Sequence, residues 1–167
     1  MRINEHTKLI GQKVILVPYC KHHVVKYHTW MENEELRRLT ASERLSLEDA
    51  GKMIASMVGD INIFLNDSIA ELTVMIAESE WHRKGLGEEA VRIMLKFAFE
   101  IIGLRIFEVK ISDDNISSLK LFQKIGFFLT SHCSKFHEYT LSIGVKHILE
   151  AISHLEVTVD KYAYNEL

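Results

Sequence analysis

The sequence predicts an α/β (α+β) domain, a mixed central sheet with helices on both faces. Three observations carry this. Short β-branched runs alternate with amphipathic stretches along most of the chain. Apolar residues at 90, 91, 94, 95, 98 and 101 form one strong helical stripe. A single proline, Pro18, with no Gly/Ser linker and no repeat, leaves no domain boundary. At 167 residues and 47% hydrophobic, the chain suits one domain with a sizeable core.

The elements follow in order. Residues 13–19 (KVILVPY) are short and β-branched and read as a first strand. Residues 21–39 place Val24, Tyr27, Trp30 and Met31 at helical spacing, in one helix or a broken one. Ser46 before Glu48 and Asp49 has the chemistry of an N-cap, opening a short helix over 48–57. Residues 58–65 (VGDINIFL) alternate as a strand, 66–68 (NDS) are turn residues, and 70–77 (AELTVMIA) form the second arm of a hairpin. A polar loop over 78–87 leads into a helix over 88–102, then a strand over 106–111. Residues 117–125 form a helix closed by Gly126, followed by strands at 127–130 and 136–143. Residues 146–167 are weakly patterned and read as a helix with a loose tail.

Composition excludes several function classes. A formal net charge of −3, from 20 basic and 23 acidic side chains, gives no footprint for nucleic acid or an anionic membrane. The most apolar stretch, 93–106, is interrupted by Lys96, Glu100 and Arg105, so no membrane span is expected. Met1 to His6 carries no apolar signal segment. Cys20 and Cys133 lie far apart without CxxC or CxxH neighbours and read as free thiols in a reducing compartment. The expectation is a cytoplasmic domain with no metal. His22, His23, His132 and His137 have no partner at ligand spacing and read as surface or packing residues.

The informative stretch is 71–95. A strand feeds His82-Arg83-Lys84-Gly85-Leu86-Gly87, which feeds the long amphipathic helix. The first turn of a helix has amides without backbone partners and the positive end of the dipole. Two glycines let the main chain approach an anion closely, and Arg83 and Lys84 add charge. Together these make a phosphate cradle. The plain alternative is an ordinary strand–turn–helix connection. The spacing fits neither GxxxxGK[ST] nor GxGxxG. Downstream, residues 115–127 (NISSLKLFQKIGF) form a capped helix ending in Gly-Phe, with Asn115 as the N-cap candidate and Ser118 in the first turn.

These two segments, in this order, resemble the GNAT acetyltransferase superfamily. KVILVPY, RLTASE (38–43), MVGDINIFL (57–65) and VMIAE (74–78) further resemble the N-acetyltransferase 9 family, close to the ribosomal-protein N-terminal acetyltransferase type. The likeness covers roughly residues 1–142 and leaves 143–167 as a C-terminal extension. It implies acetyl-coenzyme A as co-substrate. It also implies transfer of the acetyl group to a protein or peptide amine by direct attack. The backbone at Met75, Ile76 and Ala77 is then expected to pair with the pantetheine arm, and the amides of Arg83, Lys84, Gly85, Leu86, Gly87 and Glu88 to hold the pyrophosphate. Asn115 and Ser118 are expected to contact the coenzyme, and Lys120 or Lys124 to reach its 3′-phosphate. Glu71 and Glu108 are the candidate bases, each on a strand beside the presumed cleft. The bland alternative for both is an ion-paired strand carboxylate.

Three positions depart from the family pattern. His82 stands where the loop signature has Gln or Arg. Phe122 stands where many members carry a tyrosine acting as general acid. Between Leu47 and Met57 the family has a longer helix and a full strand, and here only residues 48–56 intervene. The chain therefore reads as lacking the second strand of the fold. Its first strand must pair with 58–65, or that edge stays open. The alternative to an active enzyme is a catalytically weak or inactive GNAT-fold binding protein, a truncated isoform.

Overall fold

The computed structural model describes residues 4–40, 57–66 and 69–162. The helix expected over 48–57 lies outside them except for Met57, and so do residues 67 and 68 of the turn expected over 66–68. Strand β1 (Thr7–Ile10) turns into β2 (Ile15–Leu16), a turn closed by the Gly11 N–H donating to the Val14 carbonyl at 3.0 Å. The strand expected over 13–19 thus shrinks to two residues and pairs with β1. The other edge of β1 takes β8 (Thr158–Lys161), with Thr7 opposite Lys161. The expected loose tail therefore contains a strand. All four of its residues are exposed and it binds through main-chain bonds, which side-chain patterning does not encode.

A 3₁₀ turn (Lys21–His23) leads to α1 (Val24–Met31), and α2 (Glu34–Thr40) follows. The helical stretch is broken because Asn33 caps the second piece, its Oδ1 accepting from the Leu36 N–H at 3.2 Å. The main sheet has strands β3 (Gly59–Asn66), β4 (Ile69–Ile76), β5 (Phe107–Ser112), β6 (Phe128–Cys133) and β7 (Glu138–Ile143) in the order β3-β4-β5-β7-β6. Helix α3 (Leu86–Phe97) runs into a π-helical turn (Ala98–Ile102) that ends at Gly103, φ +87°. Helix α4 (Ile116–Ile125) joins β5 to β6, and α5 (Val145–Ile152) follows β7.

One sheet face carries Ala70, Leu72, Phe107, Val109, Ile111, Leu141 and Ile143, all buried. Val91, Leu95 and Ala98, from α3 and the turn after it, pack on this face with Phe122 and Ile125 of α4 and Ile148 of α5. Each large side chain buried here contributes about 1.5–3 kcal/mol. A smaller cluster on the opposite face joins Met75 of β4 to Trp30 and Met31 of α1. The hairpin β1–β2 rests on the outside of α3 through Leu9, Ile93 and Phe97. Among the described residues no strand pairs with the outer edge of β3.

Candidate functional site

Strands β4 and β5 are parallel and pair only at Ala70–Phe107 and Glu71–Glu108. Beyond that point they part, while β4 stays in register with β3 over its whole length. A V-shaped groove results, with one wall made by the free edge of β4. Side-chain and main-chain alternation decides which groups face it. The Ala70 N–H donates toward β5, to the Ile106 carbonyl at 3.1 Å, and the Ala77 N–H toward β3, to the Val58 carbonyl at 2.9 Å. Even-numbered residues Leu72, Val74 and Ile76 therefore turn their amides to the groove. Of the three positions expected to line it, Ile76 does so. Met75 and Ala77 direct their N–H groups into the β3–β4 ladder.

The open end of the groove is the 82–88 loop. Arg83 (φ +58°) and Gly85 (φ +83°) are both left-handed, which folds the chain tightly into α3. Gly85 is the N-cap and supplies no side chain, so the first-turn amides of α3 lack a side-chain cap. A Cβ on Gly87 would meet Ile76 Cγ1 at 3.6 Å and Leu121 Cδ2 at 3.7 Å, so β4, α3 and α4 converge at this residue. His82 donates from Nε2 to the Ile76 carbonyl at 2.7 Å, tying the loop to the last residue of β4. An imidazole thus anchors the loop where the family pattern has Gln or Arg. Lys84 lies over the Trp81 ring, 4.5 Å from its centroid. Glu88 is ion-paired with Arg92 at 3.1 Å and with Lys124 at 2.6 Å. These partners hold the Glu88 carboxyl below its ordinary range against the opposing effect of burial. Lys124 is thereby committed to a carboxylate, while Lys120 is exposed on α4.

Asn115 caps α4, its Oδ1 accepting from the Ser118 N–H at 3.1 Å. That bond fixes the side chain and leaves the Nδ2 hydrogens to donate elsewhere. The preceding residue, Asp114, is bound by Arg38 of α2 at 2.6 Å and by the Ser112 hydroxyl at 2.7 Å. Helix α2 is therefore clamped beside the start of α4.

The two candidate bases are adjacent in the parallel pairing, at the closed end of the V. Both lie on the sheet face opposite the main core. Glu71 accepts from the Lys110 ammonium at 2.8 Å, and Glu108 from the Ser142 hydroxyl at 3.0 Å. Donating to Glu71 raises the Lys110 pKa above its usual value, with smaller contributions from Glu138 and Glu108. Nothing in the sequence pattern marks Lys110 or Ser142. Register places them: Glu108 sits opposite Ser142, and Lys110 lies two residues along the same face. Phe122 is buried and makes an edge-to-face contact with Phe127, ring centroids 5.1 Å apart.

The histidines require a correction. His132 and His137 both approach Asp113 Oδ2, at 3.8 and 3.3 Å. Cys20, His22 and His23 bring three ligating atoms within 4.8 Å of one another. The hydrogen bonds assign this second group a structural role. The Cys20 N–H donates to His23 Nδ1 at 3.0 Å, so the neutral ring carries its proton on Nε2, which lies 2.9 Å from His22 Nε2. A metal on Nε2 would need the proton on Nδ1, where the amide hydrogen already points.

His23 is buried, and burial followed by the nearby His22 lowers its pKa from 6.5 to about 4. Between those values the unfolded chain binds a proton that the folded one refuses. Stability present above pH 6.5 is therefore lost as pH falls toward 4, by up to about 3 kcal/mol. Urea unfolding at pH 7 and pH 4.5 should show this loss, and His23→Gln should flatten it. Parallel pH profiles for the two proteins would contradict it.

Comparison with known proteins shows the family. Residues 13–128 match the family described as the acetyltransferase (GNAT) domain. The chain belongs to the GNAT acetyltransferase family, acyltransferases that use acetyl-coenzyme A as co-substrate. It is 41% identical to human alpha/beta-tubulin-N-acetyltransferase 9 over 195 aligned residues, 93% of this chain and 94% of the human one. It is 43% identical to the Drosophila melanogaster protein of the same name over 176 residues, covering 84% and 88% of the two chains. The human alignment is longer than this whole chain of 167 residues, so the human protein has residues with no counterpart here. The fold is that of spermidine N-acetyltransferase from Vibrio cholerae, solved with CoA and spermine: TM-score 0.67, 16% identity, 87% of this chain and 99% of that one covered. Among the described residues no helix is long and apolar enough to cross a membrane.

Proposed function

We propose that this chain transfers the acetyl group of acetyl-coenzyme A to a protein or peptide amine in the cytoplasm. One observation carries the reading. The V-shaped groove opens on an uncapped helix N-terminus and closes on two carboxylates. The amides of 83–88 take the pyrophosphate, and Leu72, Val74 and Ile76 offer the groove edge to the pantetheine arm. Asn115 Nδ2 and Ser118 face the coenzyme from the start of α4. Bound acetyl-CoA supplies an activated thioester. Val74 or Ile76 donates its N–H to the developing oxyanion. Glu71 or Glu108 removes the proton from the acceptor amine, which attacks only when neutral. Lys110 must release Glu71 for that carboxylate to act. Phe122, buried and without a hydroxyl, leaves protonation of the departing thiolate to water. Relatives named for α/β-tubulin support a protein acceptor.

Mass spectrometry of peptides with a free α-amine, beside α-blocked peptides with one lysine, tests the acceptor. Glu71→Gln with Glu108→Gln should lower turnover by about 10²–10⁴-fold. Turnover unchanged in the double variant removes both as bases. A second reading, a catalytically weak GNAT-fold binding protein, is favoured by Phe122 in the core and by the Glu71–Lys110 ion pair. Robust acetyl transfer to either peptide rules it out.

A further inference from the structure

We infer that Lys13, in the turn between β1 and β2, is a coenzyme-binding residue that contacts the diphosphate at the start of α3. The inference rests on the proposed pyrophosphate site at the 82–88 loop, and extends that site to a residue about 70 positions upstream. The turn is held against α3 by two main-chain amides that donate to one side-chain carboxylate. Glu89, in the first turn of that helix, accepts from the Gln12 N–H at 2.6 Å and the Lys13 N–H at 2.8 Å. Gly11 permits the approach: a Cβ there would lie 2.6 Å from Ile93 Cδ1 and 2.8 Å from Glu89 Oε1. Leu9, Val14 and Leu16 seat the hairpin on Ile93 and Phe97.

The consequence is a placed ammonium. Lys13 Nζ lies 3.4 Å from the Lys84 carbonyl and 2.9 Å from where a Cβ of Gly85 would stand. The side chain is exposed, so a ligand can reach it. A long bond to a neutral carbonyl is a poor partner for a cation, and an anion at the Gly85 amide is a better one. Lys13 then adds a third charge to Arg83 and Lys84, from a separate element. Glu89 acts as a positioning residue: its carboxylate is spent on the two amides, which locks the lysine's stem.

Calorimetric titration of the full chain with acetyl-CoA tests this with Lys13→Ala, Lys13→Arg and Glu89→Gln. Lys13→Ala should raise Kd by about tenfold at low salt, the scale of one charge-assisted contact. Because exposed charges are screened, the difference should shrink in about 0.5 M salt. Lys13→Arg should restore binding, and the melting temperature of the ligand-free Lys13→Ala protein should stay at the wild-type value. Glu89→Gln should weaken binding by loosening the turn, with the same loss of salt sensitivity. The penalty should persist with 3′-dephospho-acetyl-CoA, which keeps the diphosphate. Equal binding by wild type and Lys13→Ala overturns the role of Lys13 and leaves the loop intact. A penalty that vanishes with the dephospho ligand overturns the assignment to the diphosphate. A wild type that binds no acetyl-CoA overturns the pyrophosphate site at the loop and the lysine's role with it.

Discussion

Gly59→Ala is expected to cost about 3 kcal/mol or more of folding stability. The cause is local. A Cβ at Gly59 would stand 2.0 Å from the Met75 carbonyl oxygen and 3.0 Å from Ile76 Cα. Those are main-chain atoms of the neighbouring strand, held by the β3–β4 ladder. No rotamer change relieves the clash. The strands must part or the register must slip. Gly87→Ala is the matched control, since its Cβ would meet only side-chain atoms at ordinary contact distance. Urea unfolding of the two variants should separate them by several kcal/mol. A Gly59→Ala protein as stable as wild type would mean that β3 does not lie on β4 in this register.

Gly85→Glu together with Gly87→Glu should raise the Kd for acetyl-CoA by about 100-fold or more, roughly 2.7 kcal/mol. Two effects add. A glutamate at φ +83° is strained by about 1–2 kcal/mol and shifts the loop. Its carboxylate, and the second one at position 87, also lie at the positive end of α3. Acidic side chains are favoured there, so they occupy the amides that the pyrophosphate needs. The helix itself should survive, which circular dichroism can verify. Wild-type affinity in the double variant would show that the coenzyme is held elsewhere.

The order of elements was legible because period and punctuation agree locally. The stripe from 90 to 101, the Asn115 cap and the Gly126 close all reflect bonds within a few residues of one another. The strand–loop–helix turn over 82–88 was legible for the same reason, since glycines and a helix start lie side by side. What escaped the sequence is long-range. β8 finds β1 across most of the chain through main-chain bonds, and its exposed side chains carry no pattern. Which of Met75, Ile76 and Ala77 faces the groove depends on the β3 register, which residue types do not record. Lys13 and Glu89 are an ordinary exposed lysine and a first-turn glutamate until the hairpin docks on α3. The histidines show the same limit, because a 3₁₀ turn folds Cys20 and His23 onto each other at three residues' spacing.

Amide hydrogen exchange of β4, followed by NMR with and without saturating acetyl-CoA, tests the groove most directly. Leu72, Val74 and Ile76 should slow markedly when the ligand is bound. Met75 and Ala77, already donating to β3, should change little. Slowing at Met75 and Ala77 instead, or no change at the three even positions, would contradict the placement of the pantetheine arm on this edge.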